Sequence, residues 1–189
     1  NVESRGLGDV YKRQVISFKG IKQGIEKTNY LLKSKKKKYI LTIFEKRVLQ
    51  KEIPFFMKLM DNLNNSKINC PKPLKTRNNK YLIKLKNKTA CIVSFLEGKD
   101  KKILNIKDCY TVGKTIARMH LVTKKMKINR KNSMGIKNLK LLLESIKFKS
   151  KKFSNLKVFL NNNLKDINKN WPKQLPKGII HGDLFIDNI

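Results

Sequence analysis

The hydrophobic pattern of the chain changes once, near Gly98, and this change constrains the fold more than any other feature. Before it, short segments rich in β-branched and aromatic residues are separated by turn residues, which is typical of strands. After it, apolar residues recur every three or four positions, which is typical of amphipathic helices. We therefore predict an α+β chain with a sheet first and helices after it.

Before Gly98, the pattern predicts five strands and one helix in the order β-β-β-α-β-β. Gly20 and Gly24 are expected in a turn over residues 20–30, and Pro54 lies in the first turn of the helix. The predicted segments are the strand 15–19, the lysine-tipped hairpin 30–47, the helix 53–64 and the hairpin 80–98. Together they predict a five-stranded antiparallel sheet.

After Gly98, three helices and one short strand are predicted. The helices are 103–123, 135–149 and 155–171, and the strand is 178–180, which we expect to be buried.

The net charge of +32 indicates a polyanion as one possible partner. Of the 45 basic residues, however, only six are arginine, the residue that binds phosphates with two parallel hydrogen bonds. Lys, Asn and Ile share A/T-rich codons, so drift in base composition accounts for the same mixture. We therefore expect no nucleic-acid partner and keep a lysine-rich polyanion-binding protein as the alternative.

The first 14 residues differ in composition from the rest. The segment DVYKRQ back-translates to a sequence that resembles a sequencing-transposon adapter. We therefore expect residues 1–14 to be a non-native tail and leave them out of fold prediction.

Three cysteines at wide spacing, Cys70, Cys91 and Cys109, indicate free thiols in a reducing cytoplasm. No apolar run reaches membrane-spanning length, so no membrane partner is expected.

The closing stretch IIHGDLFIDNI contains the pattern His-x-Asp-x-x-x-x-Asn, formed by His181, Asp183 and Asn188. In phosphoryl transfer, a carboxylate orients the acceptor hydroxyl and an amide oxygen holds the Mg²⁺ that bridges the phosphates. A short loop after a strand would place Asp183 and Asn188 over one cleft, with His181 bracing the loop. The pattern therefore predicts a kinase catalytic loop, and a surface turn rich in Asp and Asn is the alternative.

Seven segments together resemble one known family. FKGIKQGIEKTNYLL, YILTIFEKRV, IPFFMKLMDNL, CPKPL, ACIVSFLEGK, VGKTIARMHL and LPKGIIHGDLFIDNI are similar to the bacterial homoserine kinases of the aminoglycoside phosphotransferase (choline kinase-like) superfamily. The resemblance covers residues 15–189. It implies a two-lobed protein kinase-like fold, with 15–98 as the N-terminal nucleotide-binding lobe and 99–189 as an incomplete helical C-terminal lobe.

The resemblance also implies the reaction, which is ATP-dependent phosphorylation of L-homoserine to O-phospho-L-homoserine in threonine biosynthesis. ATP and Mg²⁺ are the implied cofactors, and the oligomeric state stays open. Another small-molecule kinase of the superfamily, acting on choline, a sugar or an aminoglycoside, is the alternative. The implied site residues are Asp183 and His181 for catalysis, Asn188 for the metal, Ser94, Phe95 and Leu96 for adenine, and Gly20, Gly24 and Asn29 for the phosphates.

The chain departs from the wider kinase pattern. Thr42 stands where a third-strand lysine is usual, so another cation, Lys46 or Arg47, is expected to meet the phosphates. The second metal aspartate of the family lies beyond Ile189, so we expect this polypeptide to be inactive as given.

The loop NRKNSMG falls where the family contacts its amino-acid substrate. Arg130 is expected to clamp the substrate carboxylate and Asn132 to bind its polar groups. A solvated lysine-rich loop is the alternative.

Overall fold

The computed structural model describes residues 15–21, 27–45, 50–99, 101–128, 130–147 and 151–186, with the backbone alone for residues 27 and 151–154. Five strands and four helices lie in these ranges, together with one turn of 3₁₀ helix at Gln50–Glu52. The strands are β1 (Val15–Ile21), β2 (Lys27–Ser34), β3 (Lys38–Phe44), β4 (Leu82–Leu85) and β5 (Lys88–Ser94). The helices are α1 (Ile53–Asn65), α2 (Ile106–Lys124), α3 (Ile136–Ser145) and α4 (Lys151–Asn170).

The five strands form one antiparallel sheet in the order β1-β2-β3-β5-β4, which confirms the predicted sheet. At the tip of the first hairpin, the N–H of Ser34 donates to the carbonyl of Lys37 at 2.9 Å. The second hairpin turns through Lys86 and Asn87, whose φ angles are 43° and 64°. Two consecutive positive φ angles match the twist of a two-residue hairpin.

The sheet buries apolar side chains on both faces of β3 and β5. On one face, Phe44 and Cys91 pack against Ile53 and Met57 of α1. On the other face, a second cluster lies among the strands themselves and consists of Leu32, Leu41 and Ala90, with Tyr30, Tyr39 and neighbouring aliphatic residues around it. Ala90 and Cys91 are neighbours in β5 and are 0% and 2% exposed, so this strand is buried on both sides.

Helix α1 ends in a Schellman motif. Lys67 adopts a φ of 57°, its N–H donates to the Asn64 carbonyl, and the N–H of Ile68 donates to the Leu63 carbonyl. Ile68 and Leu63 are both buried and pack with Met119 of α2. The turn after α1 therefore fixes the contact between the first two helices.

Helix α2 begins at a capping box. The Asn105 side chain accepts from the N–H of Asp108, and the Asp108 carboxylate accepts from the N–H of Asn105. Lys101 Nζ lies 2.6 Å from the same carboxylate. The hydrogen bond from Lys101 is the main cause that lowers the pKa of Asp108, and the bond from the N–H of Asn105 is the second.

The chain divides into two compact units, Asn1–Ile128 with Gly178–Ile189, and Asn129–Lys177. In the second unit, α3 packs against α4, and Leu143 is 5% exposed. The lobe boundary at residues 98 and 99 stays a prediction.

Exposed apolar side chains are concentrated after residue 100. Ile103 and Ile106, for example, are 86% and 90% exposed, whereas the sheet region leaves few large apolar residues in solvent. The sheet with α1 therefore supplies most of the hydrophobic stabilisation of the described residues. None of the described helices combines the length and apolar character needed to cross a membrane.

Two predictions of local structure were wrong. Residues 178–180 form no strand, and Ile180 is 68% exposed. A strand needs a hydrogen-bonded neighbour, and every strand in the described ranges lies between residues 15 and 94. Gly20 lies inside β1 and not in a turn, because pairing continues to Ile21 opposite Asn29.

The three helices after Gly98 exist as predicted, but their ends differ from the predicted ones. They run over Ile106–Lys124, Ile136–Ser145 and Lys151–Asn170, because the Asn105 cap and the extended backbone at Ile146 set two of these limits.

The same substitution in the turn after α1 and in the interior of α1 tests the terminal motif. Lys67→Gly should raise the free energy of unfolding by about 0.5–1 kcal/mol, because a left-handed residue without Cβ is unstrained. Lys58→Gly, in the exposed helix interior, should lower it by about 1 kcal/mol. Urea denaturation measures both, and a destabilising Lys67→Gly would contradict the motif.

Candidate active site

One row of the sheet crosses all five strands and carries a polar pair at its centre. The register aligns Ile21, Asn29, Thr42, Cys91 and Leu82. Residues directly opposite one another in antiparallel strands project to the same face. Cys91 packs with residues of α1, so the row lies on the face that α1 covers.

Asn29 and Thr42 hydrogen-bond to each other across β2 and β3. The Thr42 hydroxyl donates to Asn29 Oδ1 at 2.8 Å, and both residues are half-buried. The hydroxyl of Thr42 is therefore engaged with a neutral amide. Sequence reasoning singled out both residues separately and did not foresee their contact.

The segment after β5, predicted to contact adenine, is held by two neighbouring parts of the first unit. The N–H of Ser94 donates to the Lys72 carbonyl at 2.9 Å, and the N–H of Phe95 donates to the Lys38 carbonyl at 3.2 Å. Ser94 Oγ also accepts from the N–H of Lys72. The N–H of Leu96 has no such partner among the described residues, and the residue is 40% exposed.

Lys38 attaches this segment to the first hairpin through its side chain as well. Its Nζ lies 2.8 Å from Glu97 Oε1 and 5.3 Å from the centre of the Phe95 ring. Cation–π and ionic contacts at exposed sites each contribute about 1 kcal/mol or less. One residue of the hairpin thus fixes the course of the chain after β5.

His181 and Asp183 are both exposed and flank Gly182, whose φ is +79°. The N–H of Phe185 donates to the Asp183 carbonyl at 3.1 Å, which closes a tight turn. Residues with a Cβ rarely adopt this backbone conformation, so a glycine is favoured between the two site residues. Sequence reasoning missed Gly182, although a glycine between two candidate catalytic residues is a usable signal.

Three predicted site residues, Gly24, Lys46 and Asn188, lie outside the described residues. Gly20 lies in β1 opposite Tyr30, and a Cβ there would be 3.9 Å from the Tyr30 ring, an ordinary contact. Within the described ranges, no three His, Cys, Asp or Glu side chains form a group suited to a metal ion.

Arg130 and Asn132 are exposed residues of the second unit. Asn132 Oδ1 accepts from the N–H of Met134 at 2.9 Å, and its carbonyl accepts from Asn138 Nδ2 at 2.7 Å. Asn132 therefore shapes the turn that precedes α3. The substrate contacts of both residues stay predictions.

The cysteines Cys70, Cys91 and Cys109 are free thiols in the structure. Burial raises the pKa of the Cys70 thiol, and a hydrogen bond from Asn64 lowers it by less. The protonated thiol is therefore favoured.

Glu45, directly after β3, links three strands of the sheet. Its carboxylate accepts from Thr28 Oγ1 at 3.0 Å and from Lys88 Nζ at 2.7 Å. These two hydrogen bonds lower the pKa of Glu45 below its ordinary value of 4.5, and the bond from Lys88 has the larger effect.

Removing one partner of Glu45 tests this network. In Lys88→Met, the pKa of Glu45 should rise toward its ordinary value, which a carbon-detected NMR titration of the carboxyl group measures. A carboxyl with a lowered folded pKa stabilises above its unfolded pKa, and this stabilisation is lost as pH falls through the folded pKa. Acid unfolding of the variant should therefore depend less steeply on pH.

Lys101→Met is the matched control. It should shift the titration of Asp108 and leave that of Glu45 unchanged. An unchanged Glu45 titration in Lys88→Met would contradict the network.

The sequence is similar to that of known proteins, and this similarity shows the family to which the chain belongs. Residues 17–189 match the family described as APH, the phosphotransferase enzyme family. Homoserine kinases of Rhodopseudomonas palustris (strain BisA53) and Paramagnetospirillum magneticum (strain AMB-1) are 36% and 39% identical over 177 residues. The match covers 93% of this chain and 54% of each relative, so the chain spans about half the length of the curated relatives it matches.

Among solved structures, spectinomycin phosphotransferase APH(9)-Ia in complex with ADP and spectinomycin superposes with a TM-score of 0.58 at 16% identity. The superposition covers 94% of this chain and 60% of that one. The AMP-bound complex of the same enzyme gives a TM-score of 0.55. These likenesses confirm the predicted aminoglycoside phosphotransferase-like fold.

Proposed function

This chain belongs to the phosphotransferase enzyme family, and from that premise we propose that it forms the nucleotide-binding and catalytic-loop part of a homoserine kinase. The observation that carries the proposal is the identity of 36–39% to curated homoserine kinases over 93% of the chain. The proposed reaction transfers the γ-phosphoryl group of ATP to the hydroxyl of L-homoserine and gives O-phospho-L-homoserine and ADP. Residues 15–98 would form the nucleotide-binding lobe of the enzyme, and residues 99–189 would form part of its helical lobe.

Adenine would bind along the segment 94–96. The N–H groups of Ser94 and Phe95 are used by carbonyls of the protein, so they cannot serve the ligand. The N–H of Leu96 is the remaining donor of the three and would bind a ring nitrogen of adenine. Lys38 keeps this donor in place by its contacts with Phe95 and Glu97.

The phosphates would lie against the β1–β2 hairpin, between Gly20 and Asn29. Lys46 would supply the positive charge that Thr42 does not. Mg²⁺ would be held by Asn188, since amide and carboxylate oxygens are the hard ligands that this ion prefers. When bound, the ion neutralises charge on the phosphates during transfer. The exposed carboxylate of Asp183 supplies an oxygen donor of this kind in the closing loop.

Asp183 would accept the proton of the homoserine hydroxyl as that oxygen attacks phosphorus. The turn at Gly182 presents its carboxylate on the surface of the first unit, with His181 on the other side of the glycine. Arg130 would bind the carboxylate of the amino acid in a bidentate manner, and Asn132 would contact its polar groups.

The reaction is best tested in a protein of the relatives' length. Residues 15–189 can be joined to the part of the Rhodopseudomonas palustris homoserine kinase with which this chain does not align. In a coupled assay of ADP release, this chimera should respond to L-homoserine and not to choline or kanamycin. Asp183→Asn should reduce turnover by about 10²–10⁴-fold, because the general base is lost.

Asp166→Asn is the matched control, since this aspartate is exposed and belongs to α4, outside the proposed catalytic loop. It should leave turnover unchanged. Activity with choline or kanamycin in preference to homoserine would contradict the proposed acceptor. Full activity of Asp183→Asn would contradict the proposed catalytic role.

A further inference from the structure

We propose that Thr42 is a positioning residue, which holds the Asn29 carboxamide so that its Nδ2 group donates to an anionic phosphate oxygen of the bound nucleotide. The inference rests on the proposed function, because it deepens the phosphate site of the same kinase. It gives a role to the hydroxyl that occupies the third-strand position where the wider family pattern has lysine.

The surroundings of the pair are the first argument. The other members of the row, Ile21, Cys91 and Leu82, have apolar or weakly polar side chains, and α1 covers the same face. A polar group placed in such a row loses water and must regain hydrogen bonds. The half-buried Asn29 and Thr42 satisfy this requirement at Oδ1 and Oγ1 through each other. Among the described residues no buried side-chain nitrogen or oxygen lacks a partner, so the Nδ2 group of Asn29 is accessible to a ligand.

The orientation of the amide is the second argument. An asparagine side chain has one acceptor oxygen and an NH₂ group with two donors. Oδ1 is engaged by the Thr42 hydroxyl at 2.8 Å, whereas Nδ2 has no hydrogen-bond partner among the described residues. The open end of the side chain therefore presents donors, and its complement is an acceptor such as a phosphate oxygen.

The position of the pair is the third argument. Asn29 lies in β2, two residues after the start of the strand at Lys27, and pairs with Ile21 at the end of β1. The pair thus lies beside the β1–β2 connection, to which the family resemblance gives the phosphates. A hydrogen bond from a neutral amide to an anion is about twice as strong as one between neutral partners.

Calorimetric titration of the 189-residue chain with adenosine and with Mg²⁺–ADP tests the inference. Thr42→Val removes the hydroxyl at constant shape and should weaken ADP binding about tenfold, while adenosine binding stays unchanged. Thr42→Ser keeps the donor and should bind ADP within about twofold of the parent chain. Thr111→Val is the matched control, because it removes an exposed hydroxyl of α2 that donates to the Lys107 carbonyl, and it should bind both ligands as the parent does.

Asn29→Asp provides an independent variant, since it replaces the donors with a carboxylate and leaves Thr42 in place. It should weaken ADP binding more than Thr42→Val does and spare adenosine. Circular dichroism monitors folding, and if Thr42→Val is unfolded, the contrast between ADP and adenosine in Asn29→Asp decides the question.

The outcomes separate the inference from the proposed function. If the parent chain binds neither ADP nor adenosine, the proposed nucleotide-binding function is contradicted and the inference falls with it. If the parent binds ADP but Thr42→Val and Asn29→Asp bind it equally well, the inference is overturned and the function stands. An equal loss of ADP and adenosine binding would also overturn it, because the pair would then only maintain strand register.

Discussion

The pairing of β3 with β2 on one side and with β5 on the other is the constraint on which the rest of the first unit depends. Leu41 and Phe44 face opposite clusters, as do Ala90 and Cys91 in β5. Both faces are buried, so a slip of one residue would move each set of side chains to the other face and break the packing of both clusters. The register is therefore fixed by hydrophobic burial before any polar contact is considered.

The candidate site follows from this register. The pairing that buries Cys91 also sets Thr42 opposite Asn29, and the end of the β3–β5 pairing delivers Phe95 to Lys38. The ionic contacts around the site are exposed and individually weak; the side chains of Lys38 and Glu97 are 43% and 73% exposed. Backbone pairing, and not the large positive charge, thus determines where the functional groups lie.

Much of the sheet was predictable because its signals are local. Alternating apolar residues and short turns specified both hairpins, and a proline in the first turn with apolar residues at helical spacing specified α1. The strand expected at 178–180 was wrong because a short apolar run carries no information about a partner strand. The contact of Asn29 with Thr42 and the role of Lys38 depend on register between distant segments, which one sequence does not reveal. The positive φ of Gly182 belongs to a local turn, and the glycine between His181 and Asp183 is a sequence signal that was not used.

An NMR titration of the chain with Mg²⁺–ADP tests the central claim most directly, since it reports where the nucleotide lies. If the row of the sheet and the segment after β5 form the nucleotide site, the largest shifts will occur at the side-chain amide of Asn29 and the backbone N–H of Leu96. Signals of Lys67 and Ile68, in the turn after α1, will stay in place. Shifts confined to the lysine-rich tip at 35–37, or the absence of any shift at saturating nucleotide, would contradict the account.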